Sequence, residues 1–320
     1  MKLKPPAILA LLLLGFLLLA GCLLFGASGF GIPTNPDLRN LRLARVLAGF
    51  VVGAALSCAG VTMQAILRNP LAEPYVLGVS SGAGLGAAIA VLSGLASTGI
   101  LILPASAFVF ATLTLVLVFV IAERNGHASV YSLILSGVII GSICSSILMF
   151  LVSTSSAEGL RTIIWWMLGS LQVSSYELLT VCAVVIAVGI AGSLMLAREL
   201  DALTLGRETA HYVGVRTSVT VAVALGLATL LAATSVSLAG LIGFVGLIVP
   251  HAVRSLVGAS HRRLLPCAAI VGGVFLAVCD AAARTVLDGR ELPIGVITAV
   301  LGGPFFLWIL RARRRSGWIE

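Results

Sequence analysis

Long apolar segments alternate with short polar ones along the whole chain. Most of them approach the length of about 20 residues with which an α-helix crosses about 30 Å of hydrocarbon. Strands of a membrane barrel would need only about half that length. The pattern predicts an all-α, polytopic membrane protein with about ten transmembrane helices. We place these helices at residues 7–29, 46–67, 76–96, 99–122, 130–152, 178–197, 217–233, 238–257, 264–287 and 294–310.

The composition agrees with a membrane protein. Of the 320 residues, 59% are hydrophobic and 10% are charged, and the mean hydropathy is +1.15. An ordinary soluble domain has roughly 25% charged residues. The loops leave no room for an extramembrane domain, so residues 1–320 are predicted to form a single transmembrane domain. The net charge of +8 mostly reflects basic residues at one membrane face, and it does not imply a nucleic-acid partner.

Basic residues predict the orientation of the chain, because cytoplasmic loops carry an excess of Lys and Arg. With the N-terminus inside, fourteen of the twenty basic residues fall on the inner side. Since the number of helices is even, both termini are then predicted to be cytoplasmic. The inner set is Lys2, Lys4, Arg68, Arg124, Arg198, Arg207, Arg216, Arg254, Arg262, Arg263, Arg311, Arg313, Arg314 and Arg315.

Residues 19–22 read Leu-Ala-Gly-Cys, which has the spelling of a lipoprotein cleavage site. Cleavage before Cys22 would leave nine spans and would place an apolar sequence, not a polar tether, after the cysteine. We therefore interpret Cys22 as a residue of the first helix. All six cysteines lie in apolar runs without a C-x-x-C pair, so neither a disulfide nor a metal site is expected.

The residue types that nucleotide hydrolysis needs are missing. Lys2 and Lys4 are the only lysines, so the chain has no GxxxxGK[ST] phosphate loop. There is also no HExxH motif and no pair of carboxylates within the spans. We therefore predict no catalytic residue, no metal site and no cofactor bound by this chain.

Two charges stand out within the ninth span. Asp280 and Arg284 are four residues apart, on one face of the helix. An isolated charge deep in a membrane costs about 2.5 to 3.5 kcal/mol, so these side chains should pair or face water. A local ion pair is the favoured interpretation. The alternative is an ion-coupled secondary transporter that uses Asp280.

Arg42 and Arg45 lie at the outer entrance of the second span, where the orientation rule does not favour positive charge. Their spacing of three places them on one helix face. Two interpretations stay open from the residues alone. Either an acidic partner docks on them, or the long side chains extend to lipid headgroups.

Two inner segments could serve transport. Residues 68–78 read RNPLAEPYVLG, and their two prolines predict a rigid turn, because proline cannot continue a helix. In residues 205–214, small residues recur every four positions beside charges, at Gly206, Ala210 and Gly214. A short amphipathic helix there would suit a groove on a soluble partner, and a solvated loop is the other interpretation.

Three stretches carry a family resemblance. They read LRLARVLAGFVVGAALSCAGVTMQAILRNPLAEPYVLGVSSGAGLG at residues 41–86, GLIGFVGLIVPHAVR at 240–254 and ELPIGVITAVLGGPFFLWIL at 291–310. The chain resembles the permease subunits of bacterial ABC importers for iron-siderophore, haem and cobalamin. The similarity covers nearly the whole chain after the first helix.

The resemblance implies a function and a set of partners. The expected assembly contains a second permease, identical or paralogous, two cytoplasmic ATPase subunits that hold ATP and Mg, and an extracytoplasmic binding protein. It would lie in the cytoplasmic membrane of a bacterium or archaeon and carry a metal chelate inward. The chain itself would be a transport subunit and not an enzyme.

The resemblance also implies roles for particular residues. Arg42, Arg45 and Arg284 would receive the binding protein, and Asn69 and Leu71 would form a cytoplasmic gate. Ala44 and Arg207 depart from the family pattern, which has proline and often an acidic residue at these positions. The contact with the ATPase would involve Leu205, Gly206, Glu208, Ala210 and Gly214.

Overall fold

The computed structural model of the chain describes residues 5–26, 29–31, 33–124, 127–173, 175–287 and 290–314. Lys2, Lys4 and Arg315, which entered the charge count above, lie outside the described residues. Within those ranges the protein is built almost entirely of α-helices, as predicted.

The described residues form thirteen helices and two small hairpins. The hairpins pair Phe25–Gly26 (β1) with Gly29–Phe30 (β2), and Glu123–Arg124 (β3) with His127–Ala128 (β4). Short 3-10 turns occur at Pro74–Leu77 and Leu95–Ser97. The helices are α1 (Pro5–Leu24), α2 (Pro36–Ile66), α3 (Val79–Leu92), α4 (Ile102–Ala122), α5 (Val130–Ser153), α6 (Ala157–Met167), α7 (Tyr176–Met195), α8 (Ala197–Thr204), α9 (Arg207–Tyr212), α10 (Thr217–Ala239), α11 (Val245–Val257), α12 (His261–Thr285) and α13 (Ile294–Arg314).

Each of the ten predicted spans contains one apolar helix. Six helices are long and apolar enough to cross a membrane, namely α2, α4, α5, α7, α10 and α12. In the part of the chain whose side chains the structure describes, the other four helices contribute apolar stretches at Leu13–Leu24 of α1, Val79–Leu92 of α3, Val245–Val257 of α11 and Ile294–Ile309 of α13. Cys22 is a buried residue of α1, so its assignment to the first helix is confirmed.

Helix α2 begins ten residues before the predicted start. The side chain of Asn35 accepts the backbone N–H of Asp37 at 2.9 Å, and Pro36 occupies the first helical turn. Both features favour a helix start, because they satisfy or remove donors that have no partner within the helix. Consequently Arg42 and Arg45 lie within a regular helix.

The prediction of a continuous span at residues 238–257 was wrong. Helix α10 extends to Ala239, residues 240–244 are not helical, and α11 begins at Val245. Gly240 and Phe244 have φ angles of +71° and +68°, which lie outside the right-handed helical region. The segment 240–244, called here the helix break, therefore divides this part of the bundle.

Helix α2 forms the centre of the bundle. It is largely buried along α12, α10 and α11, whereas α4, α5 and α7 expose many apolar side chains. The contacts of α2 depend on glycine: a Cβ on Gly53 would overlap the carbonyl oxygen of Gly272, and one on Gly60 would overlap that of Gly246. Close backbone approach of this kind is how helices associate where lipid removes the apolar driving force.

Candidate transport and docking sites

Charged side chains from three segments meet at the predicted outer end of the bundle. Arg45 Nη2 lies 2.8 Å from Asp280 Oδ1, and Arg45 Nη1 lies 2.8 Å from Glu291 Oε2. Arg284 Nε lies 3.0 Å from the second Asp280 oxygen, Oδ2. These four residues are called the outer ion cluster, and they confirm the predicted ion pair within α12.

The outer ion cluster is mostly buried. Arg45, Asp280 and Arg284 are 4%, 1% and 3% exposed, whereas Glu291 is 37% exposed. Two cations and two anions balance each other, so the outer ion cluster itself carries no net charge. Loss of a buried member such as Asp280 would leave an opposing charge buried, which typically destabilises a protein by about 3 to 5 kcal/mol.

Arg42 lies beside this cluster and has different contacts. Its guanidinium donates hydrogen bonds to the carbonyl oxygens of Gly31 at 2.7 Å, Leu23 at 3.1 Å and Gly29 at 3.3 Å. Carbonyls at a helix C-terminus favour a nearby cation. Arg42 therefore fastens the end of α1 and the following hairpin to α2, and it is buried within the single chain.

A cavity of about 520 Å³ opens beside the outer ion cluster. Trp165 and Trp166 of α6 line it, together with Arg45, Asp280 and Glu291. Gln172 donates a hydrogen bond to Glu291 Oε2 at 3.2 Å. Glu291 is the most exposed carboxylate of the cluster, so a molecule entering this cavity would meet it first.

The predicted gate residues form a compact turn after α2. Asn69 Oδ1 accepts the N–H of Leu71 at 2.9 Å, and the Asn69 carbonyl accepts the N–H of Ala72 at 3.0 Å. Arg68, just before them, has a φ of +49°, which is uncommon for a residue other than glycine. Asn69 is exposed and Leu71 is half-buried. The local hydrogen bonds support the predicted rigidity of this gate turn, residues 68–73.

Glu73, at the end of the gate turn, was missed from the sequence. Its Oε1 accepts the backbone N–H of Phe244 at 2.6 Å, which joins the gate turn to the start of α11. The acidic residue between alanine and proline was the available signal. The bond crosses 171 positions of sequence, so no local pattern could identify its partner.

The predicted ATPase contact, residues 205–214, is called the coupling segment. It presents two sides, because Gly206 and Ala210 are buried against the chain while Leu205, Glu208 and Gly214 are exposed. Helix α9 covers only six of its residues. The four-residue spacing of small residues thus reflects packing on this chain at Gly206 and Ala210. Exposed apolar side chains are Leu205, Tyr212 and Val213.

The coupling segment adjoins the gate turn. The Arg68 guanidinium lies 3.6 Å from the position that a Cβ on Gly206 would occupy. Burial lowers the pKa of Arg207, and the positive charge of Arg68 lowers it further. The departure from the family pattern at position 207 therefore places two like charges between the coupling segment and the gate turn.

A second contact holds α8, which precedes the coupling segment, against the start of α12. Asp201 of α8 accepts the backbone N–H of His261 at 2.9 Å, and the same oxygen lies 2.6 Å from His261 Nδ1. The carboxylate therefore caps the first turn of α12. Across the part of the chain that the structure describes, no group of His, Cys, Asp and Glu could hold a metal ion.

Ten apolar helices among the described residues define a polytopic membrane protein. The chain belongs to the FecCD transport family, which residues 8–312 match. It is 41% identical to the cobalamin import system permease BtuC of Halobacterium salinarum, over 89% of this chain and 76% of that protein. It is 38% identical to the hemin transport system permease HmuU of Yersinia pestis, over 87% and 84% of the two chains.

Similarity extends to the three-dimensional structure. A metal-chelate type ABC transporter solved in an inward-facing conformation superposes with a TM-score of 0.88 at 32% identity. The superposition covers 97% of this chain and 100% of the other. The match confirms the predicted permease fold and shows that it extends across nearly the whole sequence.

Proposed function

We propose that this chain is the permease of a binding-protein-dependent ABC importer that moves a metal chelate inward. Family membership supports the transport role, and the names of the similar proteins support a chelate as cargo. Iron-siderophore, haem and cobalamin are the candidate cargoes. We infer a second permease copy or paralogue, two ATPase subunits and an extracytoplasmic binding protein as partners.

The observation that carries this proposal is the coupling segment. Leu205, Tyr212 and Val213 are 73%, 87% and 68% exposed, although they are large apolar residues next to a charged surface. Such a patch is suited to a groove on a soluble partner. Because the chain lacks a phosphate loop, that partner would supply ATP and Mg, and the contact would carry its movement to the gate turn.

The inferred docking of the binding protein involves the outer ion cluster. Arg42, Arg45 and Arg284 are buried in the single chain and already have acceptors. An incoming carboxylate would therefore share Arg45 with Glu291 or replace it. Glu291 is more exposed than the other members of the cluster, so exchange at that position requires the least rearrangement.

Asp280 provides no support for ion-gradient coupling. Its two oxygens lie 2.8 Å and 3.0 Å from guanidinium nitrogens of Arg45 and Arg284, and it is 1% exposed. A carboxylate that binds an ion during transport would first have to leave both guanidinium partners. We therefore assign Asp280 to the structure of the outer ion cluster.

The test is reconstitution of the complete importer in liposomes. Iron-siderophore, haem and cobalamin are each supplied with the binding protein, and ATP hydrolysis and uptake are measured. One of these chelates should stimulate both activities, and omission of the binding protein should remove the stimulation. Stimulation by none of them would refute the proposed cargo class.

A further inference from the structure

The helix break is held firmly at its outer end. The backbone N–H of Ser170 donates to the Ala239 carbonyl at 2.8 Å, and Gly240 lies directly against the carbonyl of Trp166. Gly295 of α13 donates its N–H to the Leu168 carbonyl at 3.1 Å. The segment that follows α6 therefore connects the outer end of the break to the start of α13.

The inner end of the break depends on Glu73. Phe244 precedes α11 with a φ of +68°, and no side chain of the α11 segment itself caps the helix. The first N–H groups of a helix lack partners within it, and a side-chain acceptor normally satisfies one of them. Here the acceptor comes from the distant Glu73, at 2.6 Å.

Two further contacts join Phe244 and the first turn of α11 to α2 and to α13, in addition to the contact with the gate turn. Gln64 of α2 donates a hydrogen bond to the Gly246 carbonyl at 3.3 Å. The ring of Phe244 lies directly against Gly302 of α13. A displacement of Phe244 would therefore shift the start of α11 and the contact with α13 at the same time.

Left-handed backbone conformations of non-glycine residues accompany this arrangement. In the described part of the chain, Arg68 and Phe244 are the non-glycine residues with positive φ. Such conformations cost of order 1 to 3 kcal/mol and persist only where the surroundings hold them. Arg68 begins the gate turn, Phe244 ends the helix break, and the Glu73 side chain connects the two.

We propose that Glu73 is a positioning residue that transmits movement of the gate turn to α11 and α13. The effect of Glu73 on transport rests on the proposed importer function. The contacts of Glu73 do not depend on that function. The path of contacts runs from Gly206 to Arg68, through the gate turn to Glu73, and from Phe244 to Gly302. It joins the coupling segment to the helix that follows the outer ion cluster.

The proposal assigns the effect to an acceptor oxygen and not to a negative charge. Burial raises the pKa of Glu73, and the hydrogen bond from Phe244 opposes this rise. Either protonation state retains an oxygen that accepts from Phe244. Glutamine also offers such an oxygen at the same distance along the side chain, whereas alanine does not.

The activity test compares Glu73→Ala with Glu73→Gln in the reconstituted importer. We expect Glu73→Ala to lower the stimulation of ATP hydrolysis by loaded binding protein about tenfold, with basal hydrolysis retained, as one lost buried hydrogen bond would produce. Glu73→Gln should retain the stimulation. Glu123→Ala, which removes an exposed carboxylate at the end of α4, is the matched control and should behave as the parent chain.

Either of two outcomes would overturn the proposal: normal stimulation in Glu73→Ala, or equal loss in the alanine and glutamine variants. If Glu73→Ala does not assemble, Glu73→Asp decides, because its carboxylate is one methylene too short for the bond to Phe244. Loss of stimulation with normal assembly would support the positioning role. Full stimulation in Glu73→Asp would contradict it.

A distance measurement separates this proposal from the importer function. Spin labels are placed at Val76, in the 3-10 turn directly after the gate turn, and at Ser255 of α11, both exposed. They report on the distance between these two elements in the permease alone, after the six native cysteines are replaced. Glu73→Ala should broaden the distance distribution, and Glu73→Gln should leave it narrow. An unchanged distribution in Glu73→Ala would refute the link, even if the parent importer transports normally. A broadened one would support it, even if no ATP-dependent transport were found.

Discussion

Arg45 is the residue that connects both carboxylates of the outer ion cluster. It reaches Asp280 with one nitrogen and Glu291 with another, so one side chain of α2 holds both α12 and the segment before α13. Arg45 thus bridges two carboxylates with the two terminal nitrogens of its planar guanidinium, a geometry that the single ammonium of lysine does not offer. The cluster is therefore a fastening between helices as well as the proposed docking point.

Replacement of Asp280 by asparagine tests the structural part of this role. Asp280→Asn leaves Arg284 without its carboxylate partner in a buried position, so we expect a loss of about 3 kcal/mol in the free energy of unfolding. Denaturant unfolding of the purified permease in detergent would measure it. The half-exposed Glu291→Gln is the matched control and should lose no more than about 1 kcal/mol. Equal stability of Asp280→Asn and the parent chain would contradict the account.

Glu291→Gln tests the proposed role of Arg45 in docking the binding protein. Because Glu291 occupies Arg45 in the free permease, its neutralisation should make Arg45 more available to an acidic partner. We expect binding protein to bind several-fold more tightly, in the range of about 1 kcal/mol for a partly exposed charge pair. Surface plasmon resonance on the assembled importer would measure the affinity. Glu158→Gln, an exposed carboxylate of α6, is the control, and weaker binding in Glu291→Gln would show that Glu291 itself assists docking.

At the scale of elements, the number and order of the apolar helices were predictable, whereas their exact bounds and the helix break were not. The apolar composition of residues 238–257 is that of a span, and the break arises from positive φ angles at Gly240 and Phe244 together with distant hydrogen bonds. Glycine at position 240 hinted at an interruption. A left-handed phenylalanine gave no local signal, because its conformation is held by Glu73 and Gly302.

In the candidate sites, too, contacts within one helix were predictable and contacts between distant segments were not. The pairing of Asp280 with Arg284 was predicted, because their four-residue spacing in a helix fixes their proximity. The participation of Arg45 and Glu291 depends on the packing of α2, α12 and α13, which no spacing in the sequence reports. The four-residue spacing grouped Gly206, Ala210 and Gly214, but the structure buries the first two and exposes Gly214.

Glycine contacts of α2 provide a prediction for helix packing. Gly53→Ala adds a methyl group that would overlap the Gly272 backbone, so α2 and α12 must separate. We expect a destabilisation of about 1 to 3 kcal/mol, the usual range for overpacking. Thermal unfolding in detergent would measure it. Gly226→Ala in α10, where no atom lies within 4 Å of the added carbon, should be at least as stable as the parent chain; equal behaviour of the two variants would contradict the packing argument.

The exposed side of the coupling segment provides another prediction. Leu205→Asp combined with Tyr212→Asp should abolish copurification of the ATPase subunit, because both side chains are largely exposed and apolar. Permease stability should not change, since neither residue is part of the core. Leu95→Asp, an exposed apolar residue at the opposite end of the bundle, is the control. Full retention of the ATPase would exclude this patch as the contact.

At the scale of the whole molecule, the chain combines a membrane-spanning bundle with contacts at both ends. The outer ion cluster joins α2, α12 and the segment before α13, and the gate turn joins the coupling segment to α11. Movement at one end can bias the other only if each partner binds two states with different free energies. In the proposed importer, ATP binding and hydrolysis in the partner subunits supply that difference.

The central claim is that this permease moves cargo only when separate ATPase subunits drive it. The most direct measurement is uptake of a chelate against its gradient into liposomes, with the permease alone and with all inferred subunits. We predict concentrative uptake only with ATP, ATPase and binding protein present, and none by the permease alone under an imposed ion gradient. Uphill transport by the unaccompanied chain would contradict the account.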